Sequence, residues 1–302
     1  MKTGLKITAF AAAVAATFGT AYGVGAGVTP LSKGDRATSD PHGAHDEMST
    51  QPPTPGGLQI SERGYTLALQ TPRIAAPGEP TELRFAITRD DTGRKVTAYR
   101  TEHGKQLHLI VASRDLTTYR HLHPTRAADG TWTTPVELPK AGAYRVFADF
   151  TPQPEKEGLT LGADLSVAGT YAPQDLPAPA TTAKAGDGYE VQLAGKPKAG
   201  SPAELTLAVR RNGKPVTDLQ PYLGSYGHLV ALRAGDLAYL HVHPNEGGPG
   251  PNVSFTATAP STGTYRLFLD FKHDGEVRTA AFTVRAGQSG SAHPEAAEGH
   301  DH

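Results

Sequence analysis

The sequence predicts an all-β protein built from two tandem β-sandwich domains behind an N-terminal signal or anchor segment. Three observations support this prediction. The 302 residues suffice for two ordinary domains. The 34 glycines and 25 prolines suit short strands separated by turns rather than long helices. Finally, the stretch 64–169 recurs at 188–287, so the chain carries one module twice.

Residues 1–32 have the order of an export signal. Lys2 and Lys6 precede an uncharged run, 7–32, that is rich in Ala, Gly and Val. A small-residue site at 24–26 favours cleavage and a secreted protein, whereas a run longer than the roughly 20 residues that span a bilayer favours an uncleaved anchor. In both cases we expect an extracytoplasmic protein, and in the second the segment holds it at the cell membrane.

Polar segments rich in Pro, Gly or Ala set the domain limits. Residues 33–57 are predicted to form a disordered tether, and residues 288–302 a disordered tail whose histidines either capture metal loosely or have no role. The linker at 170–187 contains many prolines and alanines, which predicts a stiff, extended spacer. The two sandwiches therefore occupy residues 58–169 and 188–287.

The repeated module consists of short strands with period-2 alternation. TELRFAITR at 81–89 corresponds to AELTLAVRR at 203–211, and GAYRVFADF at 142–150 corresponds to GTYRLFLDF at 263–271. Roughly seven such strands in about 100 residues are typical of an immunoglobulin-like sandwich. Each copy is therefore predicted to be an immunoglobulin-like β-sandwich domain.

The best-matched block of the repeat carries a His-x-His-Pro motif. In the first copy it reads HLIVASRDLTTYRHLHP, at 108–124. A turn centred between Arg114 and Asp115 would form a hairpin in which His108 lies opposite His121. Residues two apart on a strand point the same way, so His123 shares that face. The three imidazoles are expected on one surface, and the second copy repeats the spacing without a gap.

A late strand adds a carboxylate to each set of histidines. Alternation in YRVFADF assigns Tyr144 to the core and Asp149 to the outer face, beside His108. On an outer, partly covered face the carboxylate stays in contact with water, so it avoids the free-energy cost of burial among imidazoles. The candidate metal ligands are His108, His121, His123 and Asp149 in the first copy, and His228, His241, His243 and Asp270 in the second.

The ligand types restrict the choice of metal. The chain has no cysteine and two methionines, so it lacks the sulfur ligands that hold Cu(I). Three imidazoles and one carboxylate suit Zn(II) or Cu(II). The alternative is that the histidines are structural, capping loop carbonyls or preserving packing inherited from one ancestral module. His103 and His273 have no counterpart in the repeat and are interpreted as surface residues.

Two blocks, LHLIVASRDLTTYRHLHP at 107–124 and GHLVALRAGDLAYLHVHP at 227–244, resemble exported bacterial tandem immunoglobulin-like proteins that are FixH/YtkA-like and often labelled heavy-metal-binding. PVTDLQPYLGSYGH at 215–228 fits the resemblance well, and the likeness covers both modules. It implies extracytoplasmic binding of copper or zinc, for metal buffering, delivery to a membrane metal transporter or metalloenzyme assembly. The first module departs from the pattern in AYRTEHGKQLH at 98–108, which implies a looser or differently lined site.

Other classes of function receive little support from the sequence. The 29 basic and 30 acidic residues nearly balance and form no basic run, so nucleic acid is not an expected partner. No Gly-x-Ser-x-Gly elbow, phosphate-binding Gly-rich loop or His-Glu-x-x-His motif is present, so the protein is not expected to be an enzyme. The alternative to metal binding is a non-catalytic immunoglobulin-like adhesion or scaffold protein with structural histidines.

Overall fold

The computed structural model describes residues 54–240 and 242–288, and for His243 and Gln288 the backbone alone. The predicted signal or anchor segment at 1–32, the tail after residue 288 and His241 lie outside the described residues, as does the tether up to residue 53. All regular secondary structure in the described part is β-strand. This described part contains no helix that is long and apolar enough to cross a membrane.

The first module is a sandwich of two five-stranded sheets. Its strands are β1 (Ser61–Glu62), β2 (Tyr65–Leu69), β3 (Arg73–Ile74), β4 (Thr81–Arg89), β5 (Leu107–Ser113), β6 (Tyr119–Leu122), β7 (Thr125–Arg126), β8 (Trp132–Val136), β9 (Gly142–Phe150) and β10 (Leu159–Val167). One sheet has the order β1-β2-β4-β8-β7 and the other the order β3-β10-β9-β5-β6.

The second module repeats this arrangement. Its strands are β11 (Thr182–Lys184), β12 (Tyr189–Ala194), β13 (Lys198–Ala199), β14 (Pro202–Arg211), β15 (Lys214–Pro215), β16 (His228–Arg233), β17 (Tyr239–Leu240), β18 (Val242–Pro244), β19 (Asn252–Thr258), β20 (Gly263–His273) and β21 (Glu276–Gln288). One sheet has the order β11-β12-β14-β19-β18, with β15 beside β14, and the other the order β13-β21-β20-β16-β17.

The topology of both modules is immunoglobulin-like, which confirms the predicted fold class. In each copy a short strand runs parallel to the last strand, β3 beside β10 and β13 beside β21, and the other pairs are antiparallel. Tyr144 Oη donates to the Lys140 carbonyl at 2.8 Å, and Tyr265 Oη to the Ser261 carbonyl at 2.9 Å, which gives each module a tyrosine-corner contact.

The linker differs from the predicted extended spacer at 170–187. Its last part, Thr182–Lys184, pairs with β12, so the second module begins earlier than predicted. The part before it is held against both modules: the Gln174 amide donates to Asp115 Oδ2 at 3.0 Å, and the Ala180 amide donates to the Thr283 carbonyl at 3.1 Å. A composition rich in prolines did not reveal these contacts because they depend on residues far away in the chain.

A third apolar cluster joins the two modules, in addition to one core inside each sandwich. Tyr119 stacks on Phe268 with ring centroids 4.1 Å apart, and Tyr239 packs on Phe147 with centroids 5.7 Å apart. These are corresponding positions of the two copies, so the modules meet through a pseudo-twofold contact. The buried members of the cluster are Ile110, Ala112, Leu116, Phe147, Val230, Leu232, Leu237 and Phe268.

This contact corrects the expectation of an outer, partly covered face. The two sheets that carry the histidine blocks bury their outer faces against each other, and Asp270 is only 2% exposed. Period-2 alternation assigns a residue to one side of a sheet, but it does not say whether that side meets water or another domain.

Candidate metal site between the modules

The hairpin β5–β6 positions the imidazoles of the first module in a register that differs from the prediction. Ile110, not His108, lies opposite His121. The loop turns one residue later than predicted, because Asp115 Oδ1 accepts the Thr117 amide at 3.1 Å. The pairing therefore shifts by two residues, which leaves each side chain on its predicted face. His108 and His121 remain neighbours, placed diagonally.

The same two-residue shift occurs in the second module, where Ala231 lies opposite Leu240. The prediction for the neighbouring strand is confirmed in both copies. His108 pairs with Asp149 between β5 and β9, and His228 pairs with Asp270 between β16 and β20.

Three imidazoles of the first module converge. One ring nitrogen from each of His108, His121 and His123 lies within 4.8 Å of the other two. The ring centroids are 5.4, 5.3 and 4.8 Å apart. Two imidazoles that bind one tetrahedral Zn(II) at about 2.0–2.1 Å have ring centroids about 5 Å apart. The spacing of the three rings therefore suits one metal ion.

A carboxylate from the other module orients the central imidazole. His121 Nδ1 donates to Asp270 Oδ2 at 2.9 Å, and the two side chains are 6% and 3% exposed. Asp270 also accepts from the Tyr119 hydroxyl at 3.2 Å and from Thr279 Oγ1 at 2.5 Å. An Asp that accepts the Nδ1 proton fixes the tautomer and leaves Nε2 with its lone pair, as in carboxylate–histidine–metal sites.

The nitrogens that face one another both carry lone pairs. The Glu102 carbonyl can only accept, so His108 Nε2 donates to it, at 3.3 Å, and the lone pair is on His108 Nδ1. That nitrogen lies 3.2 Å from His121 Nε2. Nitrogens that share a tetrahedral Zn(II) are about 3.3 Å apart. A proton or a metal ion between the two nitrogens would remove the repulsion of their lone pairs.

His123 supplies the third nitrogen. Its Nε2 is buried and has no hydrogen-bond partner among the described residues. A buried polar atom without a partner costs about 1–3 kcal/mol. One proton between His108 and His121 leaves this atom without a partner, whereas a metal ion bound through it would satisfy it together with the two facing nitrogens.

Burial favours the neutral form of His108, His123 and His228. It lowers the pKa of His108 and of His123 to about 3, and that of His228 to about 4. The neighbouring imidazole of His121 lowers all three pKa values further, because two adjacent positive charges repel. Neutral imidazole is the form that binds metal, so protons compete weakly for these side chains at neutral pH.

These pKa values predict that the metal-free protein loses stability as the pH falls below about 6.5, where unfolded imidazoles titrate. Between that pH and 3–4 the unfolded chain binds more protons than the folded one, so acidification favours unfolding. The loss is at most about 1.4 kcal/mol per pH unit for each imidazole. Denaturant unfolding in a chelator at pH 7 and pH 5 measures it, and equal midpoints contradict it.

Of the second predicted ligand set, the structure describes the side chains of His228 and Asp270. Asp270 lies opposite His228 and also contacts His121 of the first module. His241 lies outside the described residues, and the side chain of His243 is not described. Asp149 accepts from Thr160 Oγ1 at 3.0 Å and lies opposite His108. Among the described side chains, three imidazoles of the first module and one carboxylate of the second therefore meet in one place.

A domain family described as a domain of unknown function, DUF8832, matches residues 60–167 and again residues 182–288. The chain belongs to this family. The two DUF8832 matches begin and end at or next to the first and last strands of the two sandwiches. None of the curated proteins matches the chain.

Several solved structures are similar to this DUF8832 chain at low identity. Invasin, a bacterial integrin-binding protein, is 13% identical, with 74% of this chain and 39% of invasin covered and a TM-score of 0.23. The D0-D1 domain of intimin is 13% identical, with 73% and 96% covered and a TM-score of 0.22. A marsupial T cell receptor is 12% identical, with 74% and 96% covered and a TM-score of 0.23. The chain thus spans about two fifths of the invasin chain.

In this DUF8832 chain the interpretation as a surface residue is confirmed for His103 and wrong for His273. His103 is exposed, but its ring centroid is 5.5 Å from that of His228 and 6.2 Å from that of His108. His273 is buried, and both of its ring nitrogens are satisfied, by the Tyr189 hydroxyl at 2.6 Å and by Asp218 at 3.0 Å. His273 is therefore structural, whereas His103 stands beside the cluster.

The cluster opens on a cavity of about 520 Å³ that both DUF8832 modules line. His103, His108, His121 and His228 contribute to its wall. Burial raises the pKa of the nearby Tyr222 to about 12, so its hydroxyl stays protonated. Tyr222 packs edge-on against His123 and His228, with centroids 5.9 and 5.5 Å away. An ion bound by the three imidazoles can therefore be reached from the cavity.

Proposed function

We propose that this protein binds one transition-metal ion, Zn(II) or Cu(II), between its two modules. The proposal rests on one observation above all: His108 Nδ1 and His121 Nε2 face each other at 3.2 Å with lone pairs, and the buried His123 Nε2 beside them has no partner among the described residues. The carboxylate of Asp270 supplies the orienting hydrogen bond that metal-binding imidazoles usually make.

The chemistry of the site favours reversible binding over catalysis. Three neutral nitrogen ligands and no sulfur ligand suit borderline divalent ions. The cavity borders His108 and His121, so a second protein or a small ligand can reach the ion and take it. With the export signal predicted at 1–32, this supports metal buffering, delivery to a membrane metal transporter or metalloenzyme assembly outside the cytoplasm.

Replacing His123 with alanine tests the proposal. The variant lacks one of three ligands, so its affinity for Zn(II) or Cu(II) is expected to fall by more than about 100-fold, since even orienting residues contribute 10–100-fold. Equilibrium dialysis of each metal alone against the full chain measures the affinity. The histidines of the tether and tail are common to all variants, so differences between variants report on the cluster.

His273→Gln is the matched control, because it removes a buried imidazole whose two nitrogens already have protein partners. It is expected to retain the metal affinity of the wild type. If the wild type binds no more metal than His123→Ala does, the proposed function fails, and the scaffold alternative with structural histidines remains.

A further inference from the structure

His103 lies on a tight turn whose backbone does not require histidine. The turn is closed by a bridge between Glu102 and Lys105, and His103 and Gly104 both have left-handed φ values, 49° and 74°. The second module builds the same turn between Tyr222 and Ser225, with φ values of 56° and 77° at its two central residues. The residue in the place of His103 there is leucine. An imidazole at this position therefore has no role in forming the turn.

The turn directs His103 toward an imidazole of the other module. The rings of His103 and His228 have centroids 5.5 Å apart and lie nearly perpendicular, at 84°. This separation is close to the roughly 5 Å expected for two imidazoles on one ion. His228 Nε2 donates to the Tyr222 carbonyl at 2.8 Å, so its Nδ1 carries a lone pair. The pair therefore offers two nitrogen ligands.

His103 is the exposed member of this group of imidazoles. His228 and the three imidazoles of the cluster are half-buried. His108 links the two groups, since its ring centroid lies 6.2 Å from both His103 and His228. An ion that moves from solvent to the cluster meets imidazoles at every stage.

We propose that His103 and His228 form a second, outer metal position, through which Zn(II) or Cu(II) enters and leaves the inner site. The ion exchanges one imidazole for another, with His108 as the first inner ligand. No electron is transferred, and the charge of the ion does not change. This inference rests on the proposed function, because an entry position requires an inner site to which the ion passes.

The experiment is a stopped-flow measurement of Zn(II) uptake and of Zn(II) release to excess chelator by the full chain. The test variant is His103→Leu, which copies the corresponding turn of the second module and should fold. Both rates are expected to fall about tenfold, which corresponds to an increase of about 1.4 kcal/mol in the activation free energy. The equilibrium affinity of the inner site should not change, because a ligand used only in transit speeds uptake and release by the same factor. Thr101→Leu, at an exposed position of the same segment, is the control and should keep wild-type rates.

Each other outcome overturns a defined part of the argument. If the wild type binds Zn(II) and His103→Leu keeps its rates, the outer position does not exist. If His103→Leu instead loses affinity as strongly as His123→Ala, His103 is a ligand of the inner ion and no second position exists. If the wild type fails to bind Zn(II) or Cu(II) at all, the proposed function itself is wrong.

Discussion

Replacing Asp270 with asparagine is expected to weaken metal binding by about 10–100-fold, although Asp270 belongs to the module that contributes none of the three inner imidazoles. Asparagine keeps the shape of the side chain but removes the charge that accepts the His121 Nδ1 proton. The imidazole then loses its fixed tautomer and part of its basicity, and Nε2 becomes a poorer ligand. Competition with a chelator of known affinity, for Zn(II) and for Cu(II), measures the effect.

Tyr119→Phe separates this effect from general disturbance of the buried carboxylate. The hydroxyl of Tyr119 donates to the same oxygen, Asp270 Oδ2, but does not touch the metal-facing nitrogen of His121. The variant should therefore retain most of the affinity. Equal losses in Asp270→Asn and Tyr119→Phe would mean that the carboxylate acts through packing and not through the tautomer of His121.

The pairing of each histidine with its carboxylate could be predicted because it depends on local alternation alone. In β9 the core takes Tyr144 and Val146, which leaves Asp149 on the opposite side, beside His108. The two-residue error in the hairpin came from the turn, which Asp115 holds through side-chain hydrogen bonds that a symmetric placement ignores. Because the error was an even number of residues, the face of each imidazole was still predicted correctly.

The contact of Asp270 with His121 could not be predicted by the same reasoning, because it joins residues of different modules. A signal for the covering of the outer faces was nevertheless present. Phe147 and Phe268 lie on the outer side of their strands, and their neighbours on that side are polar. Ile110 and Val230 lie beside them on the outer side of the adjacent strands. Apolar side chains at matched outer positions of both copies indicate a buried contact between the copies.

Replacing Phe268 with alanine is the most severe test of that contact. The ring is 3% exposed and stacks on Tyr119 with an interplanar angle of 5°. Removing a buried Phe side chain costs about 3–5 kcal/mol of unfolding free energy, through lost burial and a residual cavity. Phe147→Ala, at the matched position against Tyr239, should cost a similar amount, whereas Val277→Ala, at a side chain 44% exposed, should cost less than about 0.5 kcal/mol.

The contact between the modules also links stability to metal binding. Phe268 lies two residues before Asp270 on β20, on the same face, so a gap at the ring loosens the carboxylate that orients His121. Phe268→Ala is therefore expected to lose metal affinity as well as stability, and to replace one cooperative unfolding transition by two. A variant that loses less than about 1 kcal/mol and binds metal as the wild type does would show that the modules do not depend on each other. In that case the imidazoles of the first module would have to bind the ion without the help of Asp270.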